Sequence, residues 1–309
     1  MENKITIREA VLEQDIAAFW EQLHIYHKRD IFPGPDQEDL EYFLGEAYHD
    51  QIMQCFRRPQ DRCFFLFFQR NAQEIGFAMP VIFSSEDGKC FIMEYCIYPP
   101  FRGMGLGKEC AWALLHWARE HGARYAELNY DGSARRRHFW EAVGFRDNGA
   151  DEWGERLMLL PPAEDIPITV ELLSDPEDWQ LKKLENGFLM EIGEPPSTEE
   201  KQAQLTRAIL AGRITFFIAK RGARAVGMCS AVRCFSTYAC ADIGVFYDFY
   251  IEPAFRKKGI AGKLAKAAQR WFEANGLASL TVTCAPCDAE MYQALGFDAR
   301  LGQTFAYLP

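Results

Sequence analysis

Two copies of one α/β layer fold, each with a mixed sheet, are what the sequence predicts. Its 309 residues amount to two average domains, since soluble domains cluster near ~100 to 150 residues. The chain also repeats itself. Tyr98-Pro99-Pro100-Phe101-Arg102-Gly103-Met104-Gly105-Leu106-Gly107-Lys108 is echoed 154 residues on by Glu252-Pro253-Ala254-Phe255-Arg256-Lys257-Lys258-Gly259-Ile260-Ala261-Gly262-Lys263. Phe139-Trp140-Glu141-Ala142-Val143-Gly144-Phe145 returns as Met291-Tyr292-Gln293-Ala294-Leu295-Gly296-Phe297 at a shift of 152, and Glu74-Ile75-Gly76-Phe77 as Ala225-Val226-Gly227-Met228 at 151. In both copies strand-like and helix-like periodicities follow each other in the same order.

Each copy opens on a short strand, Ile5 to Ile7 and Ile168 to Leu172. Helical segments follow, with Asp175-Pro176 read as an N-cap and Pro at the first helical position. Ser197-Thr198-Glu199-Glu200 reads as a capping box, and Asp36 with Asp39 looks similar in the first copy. Three β-rich runs come next: Cys63 to Gln69, Ile75 to Phe83 and Lys89 to Tyr98, then Ile214 to Lys220, Ala225 to Phe235 and Ile243 to Ile251. Asn71-Ala72-Gln73 and Arg221-Gly222-Ala223 are short enough to close hairpins. Leu106 to His121 and Ile260 to Asn275 read as helices closed by Gly122 and Gly276. A strand, a short helix and a terminal β segment complete each copy. Pro161-Pro162-Ala163-Glu164-Asp165 reads as the linker, so the domains are expected at 1–162 and 166–309.

Composition excludes other classes. Hydrophobic residues are 49% and charged residues 25%, which suits a packed globular chain rather than a disordered or fibrous one. The densest apolar run, Cys63 to Phe68, is far too short to span a bilayer, so no membrane partner is expected. Against 44 acidic side chains stand 34 basic ones, for a net charge of −10, which disfavours a nucleic-acid partner. Most of that acidity, a net −8, falls in residues 1–160. Ten scattered Cys fit reduced thiols, and a cytoplasmic location is expected. Cys284-Ala285-Pro286-Cys287 has zinc-like spacing but no second pair, and His24 and His27 read as surface helix residues, so no metal is expected.

In each copy a strand ends at Pro and an Arg-x-x-Gly-x-(Gly or Ala) turn opens directly into a helix. Small residues let consecutive N–H groups point into one concavity, and the helix N-terminus adds partial positive charge; together they make an anion site fit for a pyrophosphate. The loop is not a P-loop, because Lys108 and Lys263 precede Glu109 and Leu264 rather than Ser or Thr. Nor does Gly103-Met104-Gly105-Leu106-Gly107 have the G-x-G-x-x-G spacing of a dinucleotide fold.

On these residues the chain resembles the GCN5-related N-acetyltransferase (GNAT) family, whose signature is (Gln or Arg)-x-x-Gly-x-(Gly or Ala). The resemblance covers residues 4 to 160 and 166 to 309 and implies a tandem pair of acyl-CoA N-acyltransferase domains. It implies that acetyl-CoA is the co-substrate, its pyrophosphate held by the backbone from Arg102 to Lys108 (Arg102, Gly103, Met104, Gly105, Leu106, Gly107, Lys108). The second loop would be Arg256, Lys257, Lys258, Gly259, Ile260, Ala261, Gly262 and Lys263. The strand ends Ile97 and Ile251 match the family positions that pair with pantetheine and polarise the thioester carbonyl. Tyr292 matches a Tyr that often acts as general acid. The equivalent residue of the first copy is Trp140, whose indole N–H is not an acid of useful pKa, so the C-terminal half is the better catalytic candidate.

Acyl transfer to an amine also needs a proton acceptor. Glu94 and Asp248 occupy matching places, each eight residues before the loop Arg, and either suits that role or a structural pairing on the strand. Arg135-Arg136-Arg137 is read either as a contact to the 3′-phosphate of CoA or as a solvated helix face. In the family the segment after the first strand covers the acceptor. Here it holds Asp36, Glu38, Asp39, Glu41, Glu46 and Asp50 in one copy and Glu191, Glu194, Glu199 and Glu200 in the other, which favours a small cationic amine acceptor. Three functions stay open: an acetyltransferase with one live half, one with both halves active, and a non-catalytic acyl-CoA binding protein. The oligomeric state is open as well.

Overall fold

The computed structural model describes residues 4–34, 38–151 and 153–301. Asp36 and the terminal segment 302–309 of the second copy therefore lie outside the described residues, as does the side chain of Glu38. The chain divides into two compact units. One runs through Asn148 and resumes over Glu155–Ala163; the other takes Gly149–Gly154 and what is described from Glu164 onward.

The first unit begins with β1 (Thr6–Glu9), α1 (Glu13–Tyr26), a π-helical turn (His27–Ile31), α2 (Glu38–Leu44) and α3 (Glu46–Phe56). β2 (Leu66–Arg70), β3 (Gln73–Phe83) and β4 (Lys89–Ile97) follow as an antiparallel meander. The β2–β3 turn is two residues long, with Asn71 and Ala72 both left-handed (φ 52° and 62°), as a type I′ hairpin requires. Then come α4 (Leu106–Glu120), β5 (Tyr125–Tyr130), α5 (Ala134–Val143), β6 (Arg146–Ala150) and β7 (Arg156–Leu160). The seven strands order as β1-β2-β3-β4-β5-β7-β6.

The apolar run around β2 is explained by period-2 alternation in a sheet covered on both faces. Phe64, Leu66 and Phe68 join Leu106, Cys110 and Leu114 of α4, while Phe65 and Phe67 turn to Phe19 and Leu23 of α1 and Ile52 of α3. Phe19 and Phe65 stack at 4.5 Å between centroids.

The second unit repeats this order with β8 (Ile168–Leu172), α6 (Trp179–Glu191), α7 (Glu199–Leu210), β9 (Thr215–Arg221), β10 (Arg224–Ser236), β11 (Ala241–Ile251), α8 (Ile260–Ala274), β12 (Leu280–Val282) and α9 (Ala289–Ala294). Its sheet orders as β12-β11-β10-β9-β8. Two helix starts differ from expectation. Asp178, not Asp175, caps α6 by accepting from the Gln180 N–H, and Asp175 instead closes a turn onto the Glu177 N–H. Thr198 caps α7 by accepting from the Lys201 N–H, so Lys stands at the third helical position and no reciprocal capping box forms. Gly122 and Gly276, at φ 96° and 61°, close α4 and α8 as read.

A pair of splayed strands and two left-handed loops

Both sheets open at the same place. The parallel ladder of β4 with β5 joins only Lys89–Phe91 to Tyr125–Glu127, although β4 runs on to Ile97. Likewise β11 meets β12 only over Gly244–Phe246, and runs on to Ile251. Register shifts sit in the unpaired stretches, between Met79 and Pro80 opposite β4 and between Met228 and Ser230 opposite β11. Asp248 adopts φ 48° at the second shift. Such bulges bend a strand and re-aim its side chains, a signal that alternation in the sequence does not carry.

Beyond each strand lies a single 3₁₀ turn, Pro99–Phe101 or Pro253–Phe255, and then the loop. Gly103 and Gly105 are left-handed at φ 79° and 80°. In the second loop Lys257 and Gly259 take these places at φ 60° and 76°, so the same backbone path is held by a Lys where the first copy has Gly. A Cβ at Gly103, Gly105, Gly259 or Gly262 would meet nothing within 4 Å. These glycines serve backbone conformation and open space above the loop, not tight packing. Met104 and Lys258 are the middle residues of the two turns, and Leu106 and Ile260 are buried first residues of α4 and α8. Gly107 lies against the ring of Phe139, and Tyr95 Oη donates to its carbonyl at 2.5 Å.

The loop arginines are latched backwards. Arg102 Nε donates to the Ile97 carbonyl at 2.6 Å and its Nη atoms to Asp30 at 3.1 and 2.5 Å. Arg256 Nε donates to the Ile251 carbonyl at 2.9 Å and its Nη2 to Glu191. Burial works against ionising Asp30, but hydrogen bonds from Arg29 and Arg102 outweigh it and hold that carboxyl well below the usual range. Asp30 and Arg102 are thus a fixed pair. In the second loop Lys258 lies 3.2 Å from Glu164 and Lys263 donates to the Ile168 carbonyl at 2.9 Å. Of the basic run in α5, Arg136 bonds Asp131 and the Asp30 carbonyl and Arg137 bonds Glu141.

Just before the second loop, Glu252 is 3% exposed and accepts two hydrogen bonds from Arg224, at 3.1 and 2.8 Å, with Lys183 2.8 Å away. It fixes the end of β11 to β10 and α6.

The two strand carboxylates have different partners. Glu94 accepts from His27 Nε2 at 2.8 Å. His27 is not the surface residue expected from its place in the sequence: it is 1% exposed, with Phe43 and Tyr48 beside its ring. The π-helical turn adds a residue to the end of α1 and turns this side chain inward. His27 Nδ1 is buried with no hydrogen-bond partner among the described residues. Asp248 accepts from Ser230 Oγ at 2.6 Å. Burial raises the pKa of Asp248, and the Ser230 hydroxyl opposes that rise.

Sequence reading missed Glu185 on α6. Among the described residues its Oε1 is buried without a hydrogen-bond partner, and burial, then the charge of Asp248, push its pKa up to about 8. A carboxyl raised in the folded state contributes its full stability below about pH 4.5 and loses it as pH rises through about 8. A Glu185→Gln variant escapes that loss. Its Tm should gain on the parent by several degrees between pH 5 and pH 9, and a constant difference over that range would refute the buried titration.

Tyr292, on α9, faces Phe249 and Phe246 of β11 and Phe297, with centroids 6.2, 6.3 and 6.0 Å away. Burial, with Cys284 and Asp288 nearby, pushes its phenol up to about 12. In the first unit Trp140 fills the matching place, buried against Tyr95 and Phe145 at 5.2 and 5.1 Å. All ten cysteines are free thiols. Among the described residues no His, Cys, Asp and Glu group could hold a metal ion, and no helix is long and apolar enough to cross a membrane.

The acetyltransferase (GNAT) family model matches residues 20–145 and again 179–297. The chain belongs to this family. It is a tandem GNAT protein with two mixed α/β domains. No curated protein matches it in sequence. Among solved structures it is similar to an aminoglycoside acetyltransferase from an uncultured soil metagenomic sample in complex with trehalose, at 16% identity over 48% of this chain and 99% of that one, TM-score 0.41. Glucosamine-6-phosphate N-acetyltransferase from Arabidopsis thaliana matches at 13% identity over 46% and 99%, TM-score 0.39. A predicted acetyltransferase with acetyl-CoA from Clostridium acetobutylicum matches at 15% over 46% and 96%, TM-score 0.40. Each GNAT neighbour thus corresponds to about half of this chain.

Proposed function

We propose that this GNAT protein is an acetyl-CoA-dependent N-acetyltransferase acting on a small amine, with its chemistry in the C-terminal half. The observation that carries the reading is the meeting of Tyr292 with Phe249 on the unpaired end of β11, next in sequence to Asp248. The first unit has the buried indole of Trp140 at that place.

Arg256 to Lys263 would hold the pyrophosphate through loop amides and the start of α8, with open space above Gly259 and Gly262 to receive it. Backbone groups of β11 beyond Phe246, unpaired with β12, would accept an extended thioester arm as a strand accepts a neighbour, with the Ile251 carbonyl already taken by Arg256. Asp248 first takes one proton from the ammonium, and the lone pair of the neutral amine then bonds to the acyl carbon. Tyr292 gives its proton to the departing sulfur as the C–S bond breaks and regains one from the acylated nitrogen. The first loop, Arg102 to Lys108 with Ile97, has the same backbone path and would hold a second acetyl-CoA. Glu94, paired with His27, would be the proton acceptor there.

Calorimetric titration with acetyl-CoA tests the reading. Gly259→Val puts a β-branched residue at φ 76°, which costs about 1–3 kcal/mol and crowds the concavity, so affinity at the C-terminal site should fall tenfold or more. Gly105→Val does the same for the first loop. No heat from the parent protein would sink the acetyltransferase reading.

A further inference from the structure

In both units the carboxylate on the splayed strand is held by one side-chain donor among the described residues, and the donors differ in kind. Asp248 takes the Ser230 hydroxyl from the neighbouring strand, at 2.6 Å. Glu94 takes the His27 imidazole, at 2.8 Å, from the π-helical turn that follows α1. The same turn carries Asp30, which grips Arg102 of the first loop through both carboxylate oxygens. One turn of five residues thus holds the strand carboxylate through its first residue and the loop through its fourth, and single π-type turns in helices are frequent at functional sites. We propose that His27 is a positioning residue for Glu94 in the first unit, its Nε2–H fixing Oε1 so that Oε2 is left to the acceptor amine, with the Asp30–Arg102 latch holding the turn in place. This rests on the first loop holding acetyl-CoA.

Packing leaves the ring little room to turn, since His27 is 1% exposed with Phe43 and Tyr48 beside it. Its Nδ1 is buried with no hydrogen-bond partner among the described residues. A proton there would be a buried donor with nothing to receive it, so the proton sits on Nε2 and is committed to Glu94. The Glu94 side chain keeps 12% of its surface exposed, and among the described residues only its Oε1 is hydrogen-bonded. No neighbouring charge competes for the pair. Burial keeps the phenols of Tyr26 and Tyr48 and the thiol of Cys96 protonated. Arg29 and Arg102 are bonded to Asp30, and Arg136 to Asp131 and the Asp30 carbonyl. His24 and His49 lie against Trp20, and Lys28 is exposed. In this arrangement Oε2 removes one proton from the ammonium, and the lone pair of the neutral amine bonds to the acyl carbon. The sulfur leaves with its bonding pair and takes the proton released by the acylated nitrogen.

The test uses the full-length protein. With histidine labelled with ¹⁵N, the six imidazoles are read by NMR at neutral pH. One ring should carry its proton on Nε2 alone, exchange it slowly with water, and disappear from the spectrum of His27→Gln. In Glu94→Gln its N–H proton should move upfield, as a neutral acceptor replaces an ionised one. A His27 ring protonated on Nδ1, or one whose N–H proton ignores Glu94→Gln, overturns the pairing. For function the background is Gly259→Val, so that acetyl-CoA hydrolysis, with water as the acyl acceptor, reports the first loop. There His27→Ala should lower kcat about tenfold, as expected for losing a hydrogen bond to a charged group, and leave the KM for acetyl-CoA within about twofold. His27→Gln, which keeps a side-chain N–H for Glu94, should recover most of the lost rate. A kcat untouched by His27→Ala, or lost equally in both variants, overturns the positioning role. If the imidazole signals behave as expected but Gly259→Val neither binds nor cleaves acetyl-CoA, the pair stands as a structural contact, and the positioning role falls with the reading of the first loop.

Discussion

A Tyr292→Phe variant will bind acetyl-CoA as the parent does and transfer its acetyl group about a hundredfold more slowly, the lower end of what a positioned general acid contributes. The change removes one oxygen and keeps the ring, so the contacts with Phe246, Phe249 and Phe297 survive and folding is little affected. With its phenol pushed up to about 12, Tyr292 keeps its proton through the working range. Any alkaline inflection of the parent below pH 9 therefore belongs to another group, and the same inflection should persist in the Phe variant. Equal turnover by the two proteins would remove Tyr292 from the chemistry. Trp140→Phe in the first unit, judged by the same assay, should leave acetyl transfer within twofold of the parent.

The second large effect is on stability. Glu252→Ala leaves the fully buried Arg224 guanidinium without its two-pronged acceptor and also strips Lys183 of its partner. Removing one member of a buried pair typically costs about 3–5 kcal/mol, because the remaining charge stays desolvated. Urea unfolding followed by amide hydrogen exchange, which reads the two units separately, should show the C-terminal unit melting at markedly lower denaturant. Arg233 and Asp242 form an exposed pair, and Asp242→Asn should change stability by less than about 1 kcal/mol. Similar losses for both variants would mean that burial at Glu252 is not what gives the pair its weight. Since Glu252 immediately precedes the 3₁₀ turn that leads to the loop, acetyl-CoA affinity should weaken along with stability.

What the sequence made legible was what glycine and apolar period encode. Gly103, Gly105 and Gly259 marked the left-handed positions, Gly122 and Gly276 the helix ends, and the six main strands fall within three residues of their expected limits. Two kinds of information were hidden. The first is backbone irregularity: the π-helical turn that buries His27 and the bulge that turns Asp248 arise from an extra residue per turn or per ladder, and no residue type announces them. The second is partnership across distance. Glu185 looks like one acidic residue among several on a helix, and only the folded chain shows that its carboxyl is buried. The caps shifted for a local reason: Asp175 and Asp178 are both good caps, and the Asp175 turn uses up the first.

The backward latch of the two arginines bears on how ionic strength acts on this protein. Arg102 and Arg256 spend their guanidinium groups on strand-end carbonyls and on Asp30 and Glu191, and Lys258 and Lys263 are likewise engaged. What the loops then offer an anion is the exposed Lys108 in one and Lys257 in the other, together with oriented amides at a helix start, a short-range attraction that dissolved ions screen far less than they screen mobile side-chain charges. Added salt should accordingly cost these loops little, in a chain whose net charge of −10 would otherwise repel an anionic visitor most strongly in dilute buffer.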